Sequence, residues 1–158
     1  MCYSFKKILI DDIKFLNEVR NEYASEYLHD NRSFSLDESI EWFNKNDPDY
    51  WIIFLDDVRI GYFRLSNYSD VDKSIYIGAD IHKDYLNKGH GYLVYNLFID
   101  KLFKERNLDK IKLEVLSTNK RALHLYEKIG FYIIGIKHKF MIRNNECIDS
   151  IIMQINKK

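Results

Sequence analysis

Gly89 and Gly91 stand one residue apart in "YLNKGHGYLVYNLFIDKLF", residues 85–103, two of only six glycines in 158 residues. An apolar-periodic helix follows at once. Strand, glycine-rich turn and helix together make an anion site. The first N–H groups of a helix have no intrahelical acceptor, and the helix dipole favours negative charge there. Glycine lets a phosphate approach the main chain; a plain turn is the alternative reading. Two nucleotide motifs that share this logic do not fit: GxxxxGK[ST] is absent, and the third glycine of G-x-G-x-x-G falls on Val94. Arg20 carries a fork suited to a substrate phosphate, with an ion pair to Glu18 or Glu22 as its alternative. Lys88 either adds charge beside the loop or is simply solvated. His82 and His90 flank the loop without an HExxH pattern or a cysteine partner, so no metal is expected.

The elements that must hold these residues alternate along the chain. "YSFKKILI" reads as a strand. Asp11 is placed to cap a helix with Ile13, Leu16, Val19 and Tyr23 on one stripe. Ser35 and Glu38 have capping-box spacing before a second helix carrying Leu36, Ile40 and Phe43. Two strands joined at Asp56-Asp57 follow, then a third in "KSIYIGADI". The helix after the glycines should turn Val94, Leu97, Phe98 and Leu102 inward. "DKIKLEVL" is a strand with Ile111, Leu113 and Val115 on one face and Lys112 and Glu114 on the other. "NKRALHLYEKIG" is a short helix closed by Gly130, and two strands joined at Asn144-Asn145 end the chain. The order is strand, two helices, three strands, helix, strand, helix, two strands: a mixed α/β layer fold in one domain, residues 1–158.

Bulk properties narrow the field. Hydrophobic residues make up 46% of the chain, enough for a core without a metal or disulfide. Twenty-four basic residues meet 24 acidic ones, which gives no support to nucleic-acid or membrane-surface binding. Cys2 and Cys147 read as reduced thiols. No apolar run approaches the roughly 20 residues of a membrane span, and "MCYSFKKILIDD" is too short in apolar residues for a signal peptide. A cytoplasmic protein is expected.

"VLSTNKRALHLYEKIGF", residues 115–131, taken with "YLNKGHGY", resembles the GNAT superfamily of acetyl-CoA-dependent N-acetyltransferases over nearly the whole chain. The family loop Q/R-x-x-G-x-G/A corresponds to Leu86-Asn87-Lys88-Gly89-His90-Gly91, with Leu86 in place of the usual Gln or Arg. Asn119, Ala122, Tyr126, Glu127, Gly130 and Phe131 match N-x-x-A-x-x-x-Y-E-x-x-G-F. The ending looks like the branch of ribosomal-protein alanine and nucleotide-linked amino-sugar acetyltransferases. "FLNEVRNEYASEYLHDNRSFSLDESIEWF", with Arg20-Asn21 closing the first helix, looks more like the amino-sugar enzymes.

The resemblance implies a mostly antiparallel central sheet with helices on both faces and acetyl-CoA as co-substrate. By it, backbone groups of Ala79, Asp80 and Ile81 pair with pantetheine, and residues Asn87, Lys88, Gly89, His90, Gly91 and Tyr92 cradle the diphosphate. Asn119 caps its helix and also touches the pantetheine arm. Glu114 is the implied base, or else a solvent-facing strand carboxylate. Tyr126 is the implied acid, or else a core tyrosine. Arg20 and Asn21 are the substrate-side candidates. The chemistry demands such groups: an alkylammonium titrates near pH 10, so holding it half neutral at pH 7 costs about 4 kcal/mol. The expected acceptor is the amine of a nucleotide-linked amino sugar. A polyamine or a protein N-terminus is the alternative within the class, and a non-catalytic acyl-CoA-binding module the alternative outside it. The partner is then a small molecule, and the protein itself a monomer or homodimer.

Overall fold

The computed structural model describes residues 1–23, 27–30 and 32–158. The elements run β1 (Tyr3–Lys7), α1 (Ile13–Tyr23), α2 (Leu36–Asn46), β2 (Tyr50–Leu55), β3 (Val58–Ser69), β4 (Ser74–Ile81), α3 (His90–Glu105), β5 (Lys110–Leu116), α4 (Lys120–Ile129), β6 (Tyr132–Arg143) and β7 (Glu146–Asn156). This is the expected order. Seven strands form one sheet, β1-β2-β3-β4-β5-β7-β6. Every neighbouring pair is antiparallel except β4 and β5, which are joined by the α3 crossover that a parallel pair requires.

Strand alternation sends side chains to two cores. Ile52 and Tyr62 pack with Ile13, Leu16 and Val19 beneath α1 and α2. Ile53, Phe63, Ile111 and Leu113 pack beneath α3 and α4. In the second core Phe63 and Phe98, both fully buried, stack at 4.2 Å; truncating either to Ala costs about 3–5 kcal/mol.

Local signals explain most boundaries. Ser35 and Glu38 form the expected capping box, each side chain bonding the other's amide at 3.1 Å. Asn119 accepts from the Ala122 amide, and Gly130 closes α4 with φ of 119°. Two expectations give way. Asp11 does not cap α1: it lies inside a 3-10 turn, Ile10–Asp12, that precedes the helix. Asp12 closes the start of that turn, its carboxylate taking the Leu9 amide at 2.8 Å and Arg59 Nε at 2.8 Å. Leu97 is exposed, because the buried arc of α3 runs through His90, Val94, Tyr95, Phe98, Ile99 and Leu102, and position 97 falls just past its edge.

β4 and β5 pair only from Ser74–Lys110 to Tyr76–Lys112. Beyond Tyr76 the two strands run on, to Ile81 and Leu116, with no pairing between them. The sheet therefore opens in its middle, and its two faces meet through the gap.

Candidate active site

A cleft of about 620 Å³ occupies this opening. Val115, Ala79 and Ile81 border it, Tyr126 and the glycine loop line it on the α3/α4 side, and Tyr50, Arg64 and Glu114 line it on the α1/α2 side.

Successive amides in an extended strand point to opposite edges. The Asp80 carbonyl lies against Gly61 of β3, and His82 donates to the Ile60 carbonyl at 2.8 Å, so even-numbered residues here serve β3. Ala79 and Ile81 are left facing the gap. The Ile81 carbonyl already accepts from Tyr23 Oη at 2.5 Å. Of the three residues expected to offer backbone to pantetheine, Asp80 is thus turned away. Its carboxylate goes to the other face, where Tyr62 Oη donates to it at 2.7 Å. Its neighbour Ala79 keeps an unpaired strand edge, and buried backbone groups of that kind require a partner.

The glycine loop divides its work. Gly89 caps α3 with φ of 84°, the left-handed region, and supplies no side-chain bond to the helix amides. A Cβ at Gly89 would meet nothing, so dihedral freedom explains its glycine. Gly91 is different: a Cβ there would sit 3.2 Å from Leu125 Cδ2, so its glycine lets α4 approach α3. Asn87 also has positive φ, 58°. Lys88 is spent on the loop itself, its Nζ donating to the Asp84 carbonyl at 2.8 Å. The His90 ring is buried, 2.6 Å from Tyr3 Oη, which leaves only its backbone for the loop. Tyr92 is exposed, with Lys128 above its ring at 4.7 Å.

Tyr126 projects from α4 toward the gap and its hydroxyl lies 3.2 Å from that of Tyr95. Burial raises its pKa, with the Tyr95 hydroxyl pulling the other way, so it holds a proton at neutral pH. Opposite it, Glu114 is partly buried. One oxygen pairs with Lys137 Nζ at 2.7 Å and the other takes Ser150 Oγ at 3.3 Å. The expected acid and base positions share one cleft, from opposite sides of the sheet.

Arg20 and Asn21 do not reach it. Arg20 donates to the Arg32 carbonyl at 2.6 Å, stacks on Phe34 at 4.4 Å, and borders a separate cavity of about 520 Å³ under α1 and α2. Its ion pair is Asp30, at 3.9 Å, rather than Glu18 or Glu22. Asn21 clamps Phe34, donating to its carbonyl at 2.8 Å and accepting its amide at 3.0 Å. Both residues pin the segment after α1.

Apart from Glu114, the residues on the α1/α2 side of the cleft were not singled out from sequence. Arg64 and Tyr62 share one face of β3; Arg64 lines the cleft, while Tyr62 is buried beside it. The Arg64 side chain keeps 34% of its surface open and lies over Gly78, where a Cβ would stand 2.7 Å from Nη2. Burial works against its charge, but Asp80 at 3.7 Å and the surrounding phenols outweigh it and raise the pKa. Its Nε is buried with no hydrogen-bond partner among the described residues. Tyr23, Tyr27, Tyr50 and Tyr76 complete this wall. Strand periodicity marks Arg64 and Tyr62 as facing one way, but nothing local reveals that α1, β2 and β4 bring phenols to the same place. Among the described residues no group of three or more His, Cys, Asp or Glu is arranged to hold a metal, and no helix is long and apolar enough to cross a membrane.

The fold recurs widely. A putative acetyltransferase from Salmonella typhimurium, solved with its cofactor acetyl-CoA, superposes at a TM-score of 0.81 with 15% identity over 99% of this chain and 94% of its own. A spermidine N-acetyltransferase from Vibrio cholerae, in complex with CoA and spermine, gives 0.87 with 25% identity over 98% and 95%. The spermidine N(1)-acetyltransferase sequence of Vibrio cholerae serotype O1 is 29% identical over 126 residues, 76% of this chain and 73% of that one. The sequence pattern of the acetyltransferase (GNAT) family matches residues 16–131, and the chain belongs to that family.

Proposed function

We propose that this protein transfers the acetyl group of acetyl-CoA to a primary amine of a small molecule, with a polyamine of the spermidine type as first acceptor. The observation that carries the transfer is the gap between β4 and β5. It offers unpaired helix-start amides at Gly89 on one side and the protonated Tyr126 hydroxyl at its centre. The residues fit the cofactor. The amides from Asn87 to Tyr92 suit a diphosphate, and the Ala79 edge and Asn119 suit the amide-bearing arm. The amine nitrogen attacks the thioester carbon, the C–S bond breaks, and Tyr126 supplies the proton that the sulfur takes. The amine's own proton leaves on the Glu114 side.

Two lines support the polyamine. The relatives at 25% and 29% identity are spermidine acetyltransferases. The acceptor wall is rich in phenol faces, which attract ammonium groups. One observation favours a second reading, the amine of a nucleotide-linked amino sugar: Arg64 lines the cleft with about a third of its side chain open, 34%, and phosphate suits its guanidinium fork.

Thiol release from acetyl-CoA, measured with spermidine, spermine, a UDP-linked amino sugar and a short peptide, tests the proposal. A polyamine acceptor predicts turnover with the first two, and Arg64→Leu leaving their KM unchanged or lower. An amino-sugar acceptor predicts that Arg64→Leu raises KM for the sugar nucleotide about tenfold or more, the loss of one charged bond. Tight acetyl-CoA binding with no turnover on any amine would mean a binding module.

A further inference from the structure

Glu114 lies on the side of the cleft where the amine's proton must go, yet both its oxygens are engaged. Lys137 Nζ holds one at 2.7 Å. Ser150 Oγ, fully buried, donates to the other at 3.3 Å. A hydroxyl has one proton, so the Ser150 oxygen can then only accept. Its second neighbour is His29 Nε2, at 2.9 Å, and that nitrogen is also 3.6 Å from the Glu114 carboxylate. A lone pair there would face both a lone pair and a negative charge. The ring proton therefore sits on Nε2, and Nδ1 is left basic. Among the described residues Nδ1 has no hydrogen-bond partner, while the ring lines the cleft with Phe140 edge-on at 5.3 Å.

The surroundings favour a neutral ring at rest. Burial lowers the pKa of His29 first. Arg64 of β3 and Lys137 and Arg143 of β6 push the same way, while Glu114 of β5 opposes them.

We propose that His29 Nδ1 takes the proton from the acceptor ammonium, and that Ser150 and Glu114 are positioning residues that fix its tautomer. This rests on the acetyl-transfer reading. The ammonium gives one proton to Nδ1, and the freed pair forms the C–N bond as the C–S bond breaks. Sulfur takes the Tyr126 proton, and the proton shed by the new amide nitrogen restores the phenol. His29 releases its own proton to solvent, so the net reaction frees one.

The test has two arms on the whole protein. Long-range proton–nitrogen spectra at pH 7.5, with the signal identified by its loss in His29→Gln, should show the Nε2–H form, and Ser150→Ala should scramble it. This arm needs no acceptor, so it decides the relay even if every amine fails as substrate. An Nδ1–H or doubly protonated ring in the unaltered protein overturns the proposal. In the second arm, kcat/KM for spermidine, or for whichever amine the thiol-release screen finds, is followed against pH. His29→Gln should lower it about 100-fold and remove the acidic limb, with acetyl-CoA affinity within about twofold. Glu114→Gln should cost less and move that limb to lower pH, since the carboxylate holds the imidazole's pKa up. If Glu114→Gln removes the limb and His29→Gln keeps it, Glu114 itself is the base and His29 is not.

Discussion

The two sides of the opened sheet are built by different means. On the α3/α4 side the chain offers main-chain groups: a left-handed glycine at Gly89, the start of one helix, and the Ala79 strand edge. One side chain there, Tyr126, is the proposed acid. On the α1/α2 side the wall consists of side chains drawn from α1, the segment after it, β2, β3, β4 and β5. Several are held by buried hydroxyls behind them: Asp80 by Tyr62, and Glu114 and His29 by Ser150 of β7. Backbone recognition suits a ligand that is always the same, because amides cannot be exchanged by substitution. A side-chain wall can be rebuilt one residue at a time, which suits the partner that varies among enzymes of one fold. Substitutions on the first side should therefore act alike on every acceptor, and those on the second should discriminate between acceptors.

The largest effect that sharpens this contrast is at Tyr126. Tyr126→Phe removes one oxygen from a partly buried pair of phenols and leaves the packing against Tyr95 and Phe131. The thiolate then departs without its proton donor. We expect kcat to fall about 100-fold with any acceptor, and acetyl-CoA affinity by calorimetry to stay within about twofold. A turnover number unchanged by the substitution would move the acid elsewhere and leave the α3/α4 side a binding surface only.

Gly89→Val comes second. The side chain has room, but φ of 84° is costly for a β-branched residue, so the turn relaxes and the first amides of α3 lose their aim. One charge-assisted bond lost is about 2 kcal/mol, or roughly 30-fold in acetyl-CoA dissociation constant. The KM for the amine should hold. Equal losses for both substrates would erase the distinction between the two sides.

The contrast also explains what the sequence reveals. A backbone site leaves a compact local imprint, since the glycine, the helix start and the cap must be contiguous. "NKGHGY" and the Asn119-to-Phe131 run therefore mark the α3/α4 side without any coordinates. Element order is equally legible, because capping boxes, turn pairs and alternation are all short-range. The acceptor wall leaves no such imprint. His29 and Ser150 lie 121 positions apart, and their 2.9 Å contact exists only once β7 sits beside β5. Arg20 shows the converse. Its fork and its place near the end of a helix suggest an anion, and the structure gives it Phe34 and the Arg32 carbonyl as neighbours. Whether a surface arginine is free depends on where the next loop returns, which periodicity does not encode. The two glycines also share one motif for two reasons, dihedral at Gly89 and helix approach at Gly91, and only packing separates them.

The smallest effect on turnover is expected at Asp49, which belongs to neither side. Its carboxylate takes Arg106 at 2.6 and 3.1 Å, Lys7 at 3.1 Å and Trp51 Nε1 at 2.9 Å, joining β1 and β2 to the end of α3. Burial would raise its pKa, but these donors prevail and hold it at about 2. A carboxylate depressed in the folded state contributes stability that is complete above the unfolded value of about 4 and is lost as pH falls toward 2. The group is 31% exposed, so water screens part of the attraction and about 1 kcal/mol is a fair magnitude. Asp49→Asn should thus lower the urea stability by about that amount at pH 7, and the gap to the unaltered protein should narrow from pH 4 downward. Turnover should stay within about twofold for every acceptor. A selective loss with one acceptor would mean that strain at the end of α3 reaches the α1/α2 wall, and the two sides would then not be independent.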